Sequence, residues 1–376
     1  MADREKTQQD MGRDEVPSVR MSNSKAKVLV VGGAGYVGSV LVRELLGRGY
    51  AVKVFDRLFF GDVGLAEVRD SIELVVGDVR AVDASLFEGV GTIINLSGLS
   101  NDPTAEYNPR ANYEMNTMAT ERLAVEAKAQ GISRFVFASS CSVYYVPAGV
   151  EMPDVLLDET AQLAPKAAYS YSKHEAEKRL LALSGTDFCP VILRMGTVFG
   201  FSPRMRYDLV VNTFVCHALR HGALDVHLGG EMWRPLVDVR DVARAYIAAV
   251  EAPEERVKGE IFNVATQNYR ISELALRVRE ALREEGIVAD IRPEYAYQGV
   301  RSYRVSTEKI RRLMGFTPTV TLEESICHMV ENIRKYRYTN FDHPRYWNIQ
   351  WMKLLEETHG IISVTGTIFG APSGSP

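Results

Sequence analysis

Short apolar runs alternate with longer stretches of helical periodicity over the first two hundred residues of the chain. Lys27-Val28-Leu29-Val30-Val31 is rich in β-branched residues, which suits a parallel strand covered on both faces. It runs into Gly32-Gly33-Ala34-Gly35-Tyr36-Val37-Gly38. Apolar positions at Val40, Leu41, Leu45 and Leu46 then mark a helix that stops at Gly47 and Gly49. Residues 51–55 predict a second strand ending in Asp56, residues 73–79 a third and residues 92–98 a fourth. A helix is expected over 113–130. Arg134-Phe135-Val136-Phe137-Ala138 is the next strand, leading into Ser139-Ser140-Cys141-Ser142-Val143-Tyr144. A helix over 169–184 and a sixth strand over 190–194 follow. Strand and helix in this alternation make a parallel sheet with helices on both faces. Ligands of such sheets bind at the carboxyl ends of the strands, where Gly32–Gly38, Asp56, Asp78, Ser97 and Ser139–Ser142 all fall.

Past residue 200 the alternation lapses. Residues 201–236 read as loop and helix, a strand and helix follow around 236–250, and another strand at Ile261-Phe262-Asn263-Val264-Ala265. A helix over 273–285 has Ser272 as its expected N-cap, and 291–335 is mixed and ends in a helix. The expected fold is α/β: a Rossmann-like doubly wound parallel sheet with a smaller mixed α/β substrate lobe. Residues 1–24 read as a disordered tail. Residues 25–200, with returning segments near 237–265, form the dinucleotide-binding domain. Residues 201–236 and 266–335 form the lobe, and 336–376 an aromatic extension. Tyr336, Tyr338, Phe341, Tyr346, Trp347 and Trp351 mark it as a patch packed on the body or on a partner subunit. Residues 372–376 are expected to be disordered.

Composition adds mainly exclusions. The 376 residues are 46% hydrophobic and 24% charged, an ordinary soluble balance. A net charge of -4 gives no reason to expect nucleic acid. No apolar run has the length of a membrane span, and residues 1–24 lack the apolar core of a secretory signal. The four cysteines, Cys141, Cys189, Cys216 and Cys327, have neither paired nor metal-ligand spacing. The expectation is a cytoplasmic protein with no metal.

The chemistry begins at the glycines. Strand, glycine turn and helix in that order form the dinucleotide fingerprint: glycine lets backbone approach a pyrophosphate, and the helix N-terminus favours its charge. Asp56 stands where an acidic residue accepts hydrogen bonds from the adenosine ribose and repels a 2′-phosphate, which favours NAD over NADP. Arg57 beside it pulls the other way, since an arginine can pair with that phosphate. In Tyr169-Ser170-Tyr171-Ser172-Lys173, Tyr169 and Lys173 lie four apart and share a helix face, while Tyr171 points away. An ammonium beside a phenol favours the phenolate, so Tyr169 can exchange a proton with an alcohol.

Together these motifs resemble the extended short-chain dehydrogenase/reductase family, in its nucleotide-sugar epimerase/dehydratase branch, over roughly residues 26–335. Gly32–Gly38 matches its GxxGxxG and Gly77-Asp78-Val79 its adenine-contacting segment. Ser139–Tyr144 resembles the strand end bearing the catalytic hydroxyl, with Ser140 selected by its spacing from Val143. Tyr169 and Lys173 match YxxxK. Leu193–Gly200 resembles LRxxNxYG, with Thr197 replacing the usual Asn. Residues 233–243 resemble the segment that carries a substrate arginine, and Val300-Arg301-Ser302-Tyr303 the C-terminal arginine motif.

The resemblance implies a set of roles. Ser140, Tyr169 and Lys173 would be catalytic. NAD would contact Gly32, Ala34, Gly35, Tyr36, Val37, Gly38, Asp56, Arg57, Asp78, Val79, Leu96, Ser97, Gly98 and Ala138, besides Tyr169 and Lys173. A nucleotide sugar would meet Ser140, Cys141, Thr197, Asn212, Arg234 and Arg301. Two arginines suit the substrate diphosphate because the guanidinium fork fits it. Dehydratases of the branch carry Asp-Glu directly after the catalytic hydroxyl, and its decarboxylases a Glu at the second position. Here Cys141-Ser142 stand there, which implies an NAD-dependent epimerase acting at C4. A 4-ketoreductase using NAD(P)H is the alternative, and a non-catalytic dinucleotide sensor a more distant one. Relatives of this kind pair as homodimers through the helices expected at 113–130 and 169–184.

Overall fold

The computed structural model describes residues 26–144, 155–163, 165–295 and 302–365. The expected tail at 1–24, Arg301 and the C-terminal 372–376 lie outside them.

Seven parallel strands form the central sheet: β1 (Lys27–Val31), β2 (Val52–Asp56), β3 (Glu73–Val76), β4 (Val90–Asn95), β5 (Arg134–Ser140), β6 (Cys189–Met195) and β10 (Glu260–Val264). Their spatial order is β10-β6-β5-β4-β1-β2-β3. Strand order therefore reverses beside β1, between β4 and β2, where a doubly wound sheet opens its crevice. Val28, Leu29 and Val30 are wholly buried, as a strand with helices on both faces requires. One apolar layer packs the Tyr36–Gly47 and Val239–Glu251 helices on one face of the sheet. The other face is covered by Leu123, Ala127, Ala176 and Leu180 from the Ala119–Ala129 and Ala168–Ala182 helices.

The rest of the chain builds two small sheets. β7 (Thr197–Phe199), β9 (Trp233–Asp238) and β11 (Gln267–Arg270) form one, in the order β11-β9-β7. β8 (Ala223–His227) pairs in parallel with β12 (Asp290–Glu294) in the other. Around them lie the Val210–His221, Ile271–Glu284 and Leu322–Lys335 helices, which share a second apolar core. The last begins in a capping box, Thr321 with Glu324.

Two expected elements differ. The helix expected at 113–130 is interrupted: Pro109–Tyr113 is α-helical, Glu114–Met118 is a widened π turn, and Ala119–Ala129 resumes the α-helix. At that turn Asn116 Nδ2 donates to Leu99 O, Asn112 Oδ1 and Ser172 Oγ, and Thr117 Oγ1 donates to Ser172 O at 2.8 Å. The interruption serves contacts to the Ala168–Ala182 helix. The second difference concerns Ser272, which sits inside the first turn of the Ile271–Glu284 helix and does not cap it. β11 runs straight into that helix because Ile271 is drawn into the core.

Among the described residues, no helix is long and apolar enough to cross a membrane. The aromatic extension packs on the body. Tyr336 and Tyr338 stack on Phe201, and Tyr346 and Trp347 surround Tyr207. Beyond them lies a helix absent from the sequence reading, Asn348–Thr365.

Candidate active site

A cleft of about 440 Å³ opens at the carboxyl edge of the sheet. Its floor is the glycine turn. Gly32 has φ +83°, and a Cβ there would lie 2.9 Å from Ser97 N, so the loop after β4 can approach only glycine. A Cβ on Gly38 would lie 2.4 Å from Gly32 O. The turn and the helix behind it thus close on each other only without side chains. Tyr36 and Val37, the first residues of that helix, line the cleft, and N–H groups at a helix start have no intrahelical partner. A diphosphate fits this cradle.

At the end of β2, Asp56 accepts hydrogen bonds from Ala34 N at 3.0 Å and Leu58 N at 2.8 Å. Burial raises its carboxyl pKa, and these backbone donors oppose the rise. Arg57 is drawn aside: its Nη1 donates to Asp78 Oδ2 at 2.7 Å, and Arg80 binds the same carboxylate. Val79, Leu96, Ser97, Gly98 and Ala138 complete this half of the wall.

The other half of the wall holds Ser140, Tyr169 and Lys173. Ser140 closes β5, with its Oγ accepting from Ser142 N at 3.1 Å. Tyr169 and Lys173 come from the first two turns of the Ala168–Ala182 helix, and both line the cleft with Ser140. Tyr171 turns outward and stacks on Tyr113. Lys173 Nζ donates to Ala138 O at 2.8 Å and lies 4.7 Å from the Phe137 ring centre. Burial pulls its ammonium down to about 8, with Glu177 opposing.

One helical turn past Lys173, Glu177 anchors the helix to the sheet. Its Oε1 accepts from Arg194 Nε at 2.9 Å and from Ser139 Oγ at 2.5 Å, and its Oε2 accepts from Arg194 Nη2 at 2.7 Å. Arg194 also donates to Tyr144 Oη at 2.8 Å, and that hydroxyl donates to Asn263 Oδ1 at 2.9 Å. Burial would raise the Glu177 pKa, but Arg194 and its other donors hold it below the usual range.

Thr197 and Arg234 line the cleft as expected substrate contacts would. Two other expected contacts do not. Cys141 is wholly buried and faces the sheet, with its Sγ 3.2 Å from Arg194 O; burial raises the thiol well above its usual range. β5 ends at Ser140 and a 3-10 turn over Cys141–Val143 follows, which leaves Ser140 and Ser142 on the cleft and Cys141 off it. Asn212 is also fully buried. Its Oδ1 accepts from Gly200 N, and its Nδ2 donates to Arg206 O at 2.9 Å and Tyr36 Oη at 3.1 Å. That amide holds the loop after β7 and does not line the cleft.

Several lining residues were not among the expected contacts. Arg204, Arg206, Asn348 and Met352 reach the cleft. Arg206 is paired with Asp208 at 2.8 Å. Clustered arginines in Pro203-Arg204-Met205-Arg206 were the available hint, although such a pair usually marks a solvated loop.

Residues 28–265 match the NAD dependent epimerase/dehydratase family. The chain belongs to that family. It is an NAD-dependent enzyme of the short-chain dehydrogenase/reductase type. UDP-glucuronic acid decarboxylase 1 of Xenopus tropicalis is 27% identical over 327 residues, covering 85% of this chain and 75% of its own. The Thermus thermophilus UDP-glucose 4-epimerase, solved as a complex with NAD, is 26% identical with a TM-score of 0.69. That match covers 82% of this chain and 99% of the other. DesIV, a dTDP-glucose 4,6-dehydratase from Streptomyces venezuelae, is 25% identical with a TM-score of 0.72, over 83% of this chain and 98% of its own.

Proposed function

We propose that the protein is an NAD-dependent sugar-nucleotide epimerase acting at C4. The observation that carries this reading is a cleft that presents Ser140, Tyr169 and Lys173 together, with no carboxylate on the two residues after Ser140. Elimination and decarboxylation in this family rely on acids at those positions. Here Cys141 is turned into the sheet and Ser142 offers only a hydroxyl. Of the carboxylates that the described residues bring to the cleft, Asp56 and Asp78 are on the side of the glycine turn, and Asp102 begins the separate Asp102–Tyr107 helix.

The residues fit the cofactor. Gly35, Tyr36 and Val37 would hold its diphosphate, Asp56 its adenosine ribose, and Lys173 the ribose beside the nicotinamide. When bound, the nicotinamide would supply a reversible hydride acceptor for the sugar carbon. Tyr169 Oη takes the hydroxyl proton as the carbon is oxidised and gives it back after the keto sugar has turned over, so electrons and protons balance over the cycle. Ser140 donates a hydrogen bond to the same sugar oxygen. Arg234 sits where it can meet the substrate diphosphate. The carboxylate of Asp56, with Arg57 held on Asp78, supports NAD over NADP. Exposed Met118, Val125 and Tyr171 on neighbouring helices support a homodimer.

The test is to identify the nicotinamide that co-purifies by mass spectrometry, then offer UDP-, dTDP- and GDP-sugars, uronates included, and follow products by NMR. The expected result is a mixture of C4 epimers without net reduction of cofactor. Release of carbon dioxide, loss of water to a 4-keto-6-deoxy sugar, or stoichiometric consumption of NADPH would each overturn the reading.

Lys173 makes a second prediction. Its ammonium titrates at about 8 in the free cleft, below the ordinary lysine value, so the charged form prevails on the acid side. Calorimetry on cofactor-stripped protein should show NAD affinity level below that pH and weakening above it. Lys173→Met should bind weakly at every pH, with no inflection. An unchanged inflection in Lys173→Met would assign the titration to another group.

A further inference from the structure

The family match ends at residue 265, yet the Asn348–Thr365 helix reaches the cleft. Its first residue, Asn348, is only 5% exposed and joins three segments. The Oδ1 atom accepts from Arg204 Nη2 at 2.7 Å, Nδ2 donates to Ser100 Oγ at 3.0 Å, and the backbone N donates to Asp208 Oδ2 at 3.2 Å. One turn later, Trp351 Nε1 donates to Phe59 O at 2.5 Å, on the loop that follows Asp56. The helix therefore spans from the loop after β4 to the loop after β2, across the mouth of the cofactor crevice.

Arg204 is the side chain this arrangement holds. It is 4% exposed and lines the cleft, with its guanidinium 3.6 Å from the Phe60 ring centre. Asn348 takes one of its donors. Its Nε and Nη1 are buried and have no hydrogen-bond partner among the described residues. Two buried donors on a cation are costly without an acceptor. Burial, with Arg206 nearby, lowers its pKa to about 9, and the carboxylates of Asp208 and Asp56 only partly oppose the drop. Its Cβ lies 3.1 Å from where Gly64 would carry one, next to Ser39 and the Ala34 carbonyl, so its stem rises beside the glycine turn. An anion at that turn would supply the acceptor.

We infer that the C-terminal helix completes the cofactor site, with Asn348 as a positioning residue that holds Arg204 over the dinucleotide diphosphate. Substrate carries a diphosphate too, but Arg204 stands on the side of Asp56, Phe60 and Tyr36, where the dinucleotide lies. The inference rests on the NAD reading of the cleft. It makes cofactor retention depend on a segment beyond the family match.

The test compares affinities of cofactor-stripped full-length protein for ADP-ribose, adenosine and UDP. Wild type is compared with Asn348→Ala and Arg204→Lys, and the melting temperature of each free protein is measured alongside. A hydrogen bond to a charged group is worth about 1.5–3 kcal/mol, or roughly 10- to 100-fold in affinity. Both variants should lose about that factor for ADP-ribose, keep wild-type affinity for adenosine and UDP, and release bound NAD correspondingly faster. Should Asn348→Ala fold poorly, Asn348→Ser gives the same comparison with a milder change. Wild-type ADP-ribose affinity in folded variants, or an equal loss for adenosine, would overturn the inference and leave the NAD reading standing. Loss confined to UDP would move Arg204 to the substrate diphosphate and overturn it as well. A wild-type protein that binds neither NAD nor ADP-ribose would remove both at once.

Discussion

Tyr169→Phe should keep its cofactor and lose turnover by about 10²- to 10⁴-fold, the range for removing a positioned general acid–base. The substitution deletes one oxygen and leaves the ring on the same helix as Lys173, in the cleft that Ser140 also lines. Ser140 can donate to the sugar oxygen but cannot hold its proton as a stable base. The loss should fall on kcat, with KM little changed, because the hydroxyl acts in the transition state more than in binding. Single-turnover assays with the nucleotide sugar, alongside mass spectrometry of bound NAD, check both halves. Epimerisation at the wild-type rate would place the proton transfer on another residue. A protein with no activity before the change would be a dinucleotide sensor.

The second large effect lies one turn further along the same helix. Glu177→Ala should destabilise the fold by about 3–5 kcal/mol, the cost of removing one partner from a buried ion pair. Glu177 and Arg194 side chains are 1% and 2% exposed, so solvent cannot replace what is lost. Arg194 would be stranded between β6 and the helix, and Ser139 would lose its acceptor. Urea unfolding should show the midpoint fall with an unchanged slope. Pairing Glu177→Leu with Arg194→Met should recover much of the loss, since no unpaired charge then remains. The folded-state pKa of Glu177 is depressed, so its contribution holds above the unfolded carboxylate value and disappears as pH falls through the folded one. A shift under about 1 kcal/mol in Glu177→Ala, within the range of a surface pair, would show the network to be dispensable.

The sheet was legible because its strands are short, apolar and bounded by turn residues, and because one of them enters a glycine turn whose geometry admits no side chain. Tyr169 and Lys173 were legible for a similar local reason: four-residue spacing puts both on one helix face. Side-chain direction after β5 was not. Cys141 turns inward and Ser142 stays on the cleft because β5 gives way to a 3-10 turn after Ser140. Asn212 had a polar side chain near a family motif, but its partners are backbone groups of Gly200 and Arg206 and the Tyr36 hydroxyl, the last brought to it only by tertiary folding. Arg204 and Asn348 stand 144 residues apart. Nothing local in either segment announces the other. The Asn348–Thr365 helix was not legible because its apolar residues do not gather on one face.

Strand β10 enters the sheet beside β6 only after the chain has left to build the second core and come back. A ribosome emitting this protein therefore exposes β6 as a bare edge until residue 264 has emerged, and the nascent nucleotide-binding half must wait for its last backbone partner. Cutting the gene at codon 200 would not release an autonomous dinucleotide module. It would yield a sheet with an unprotected hydrophobic margin, prone to pair with other copies of itself.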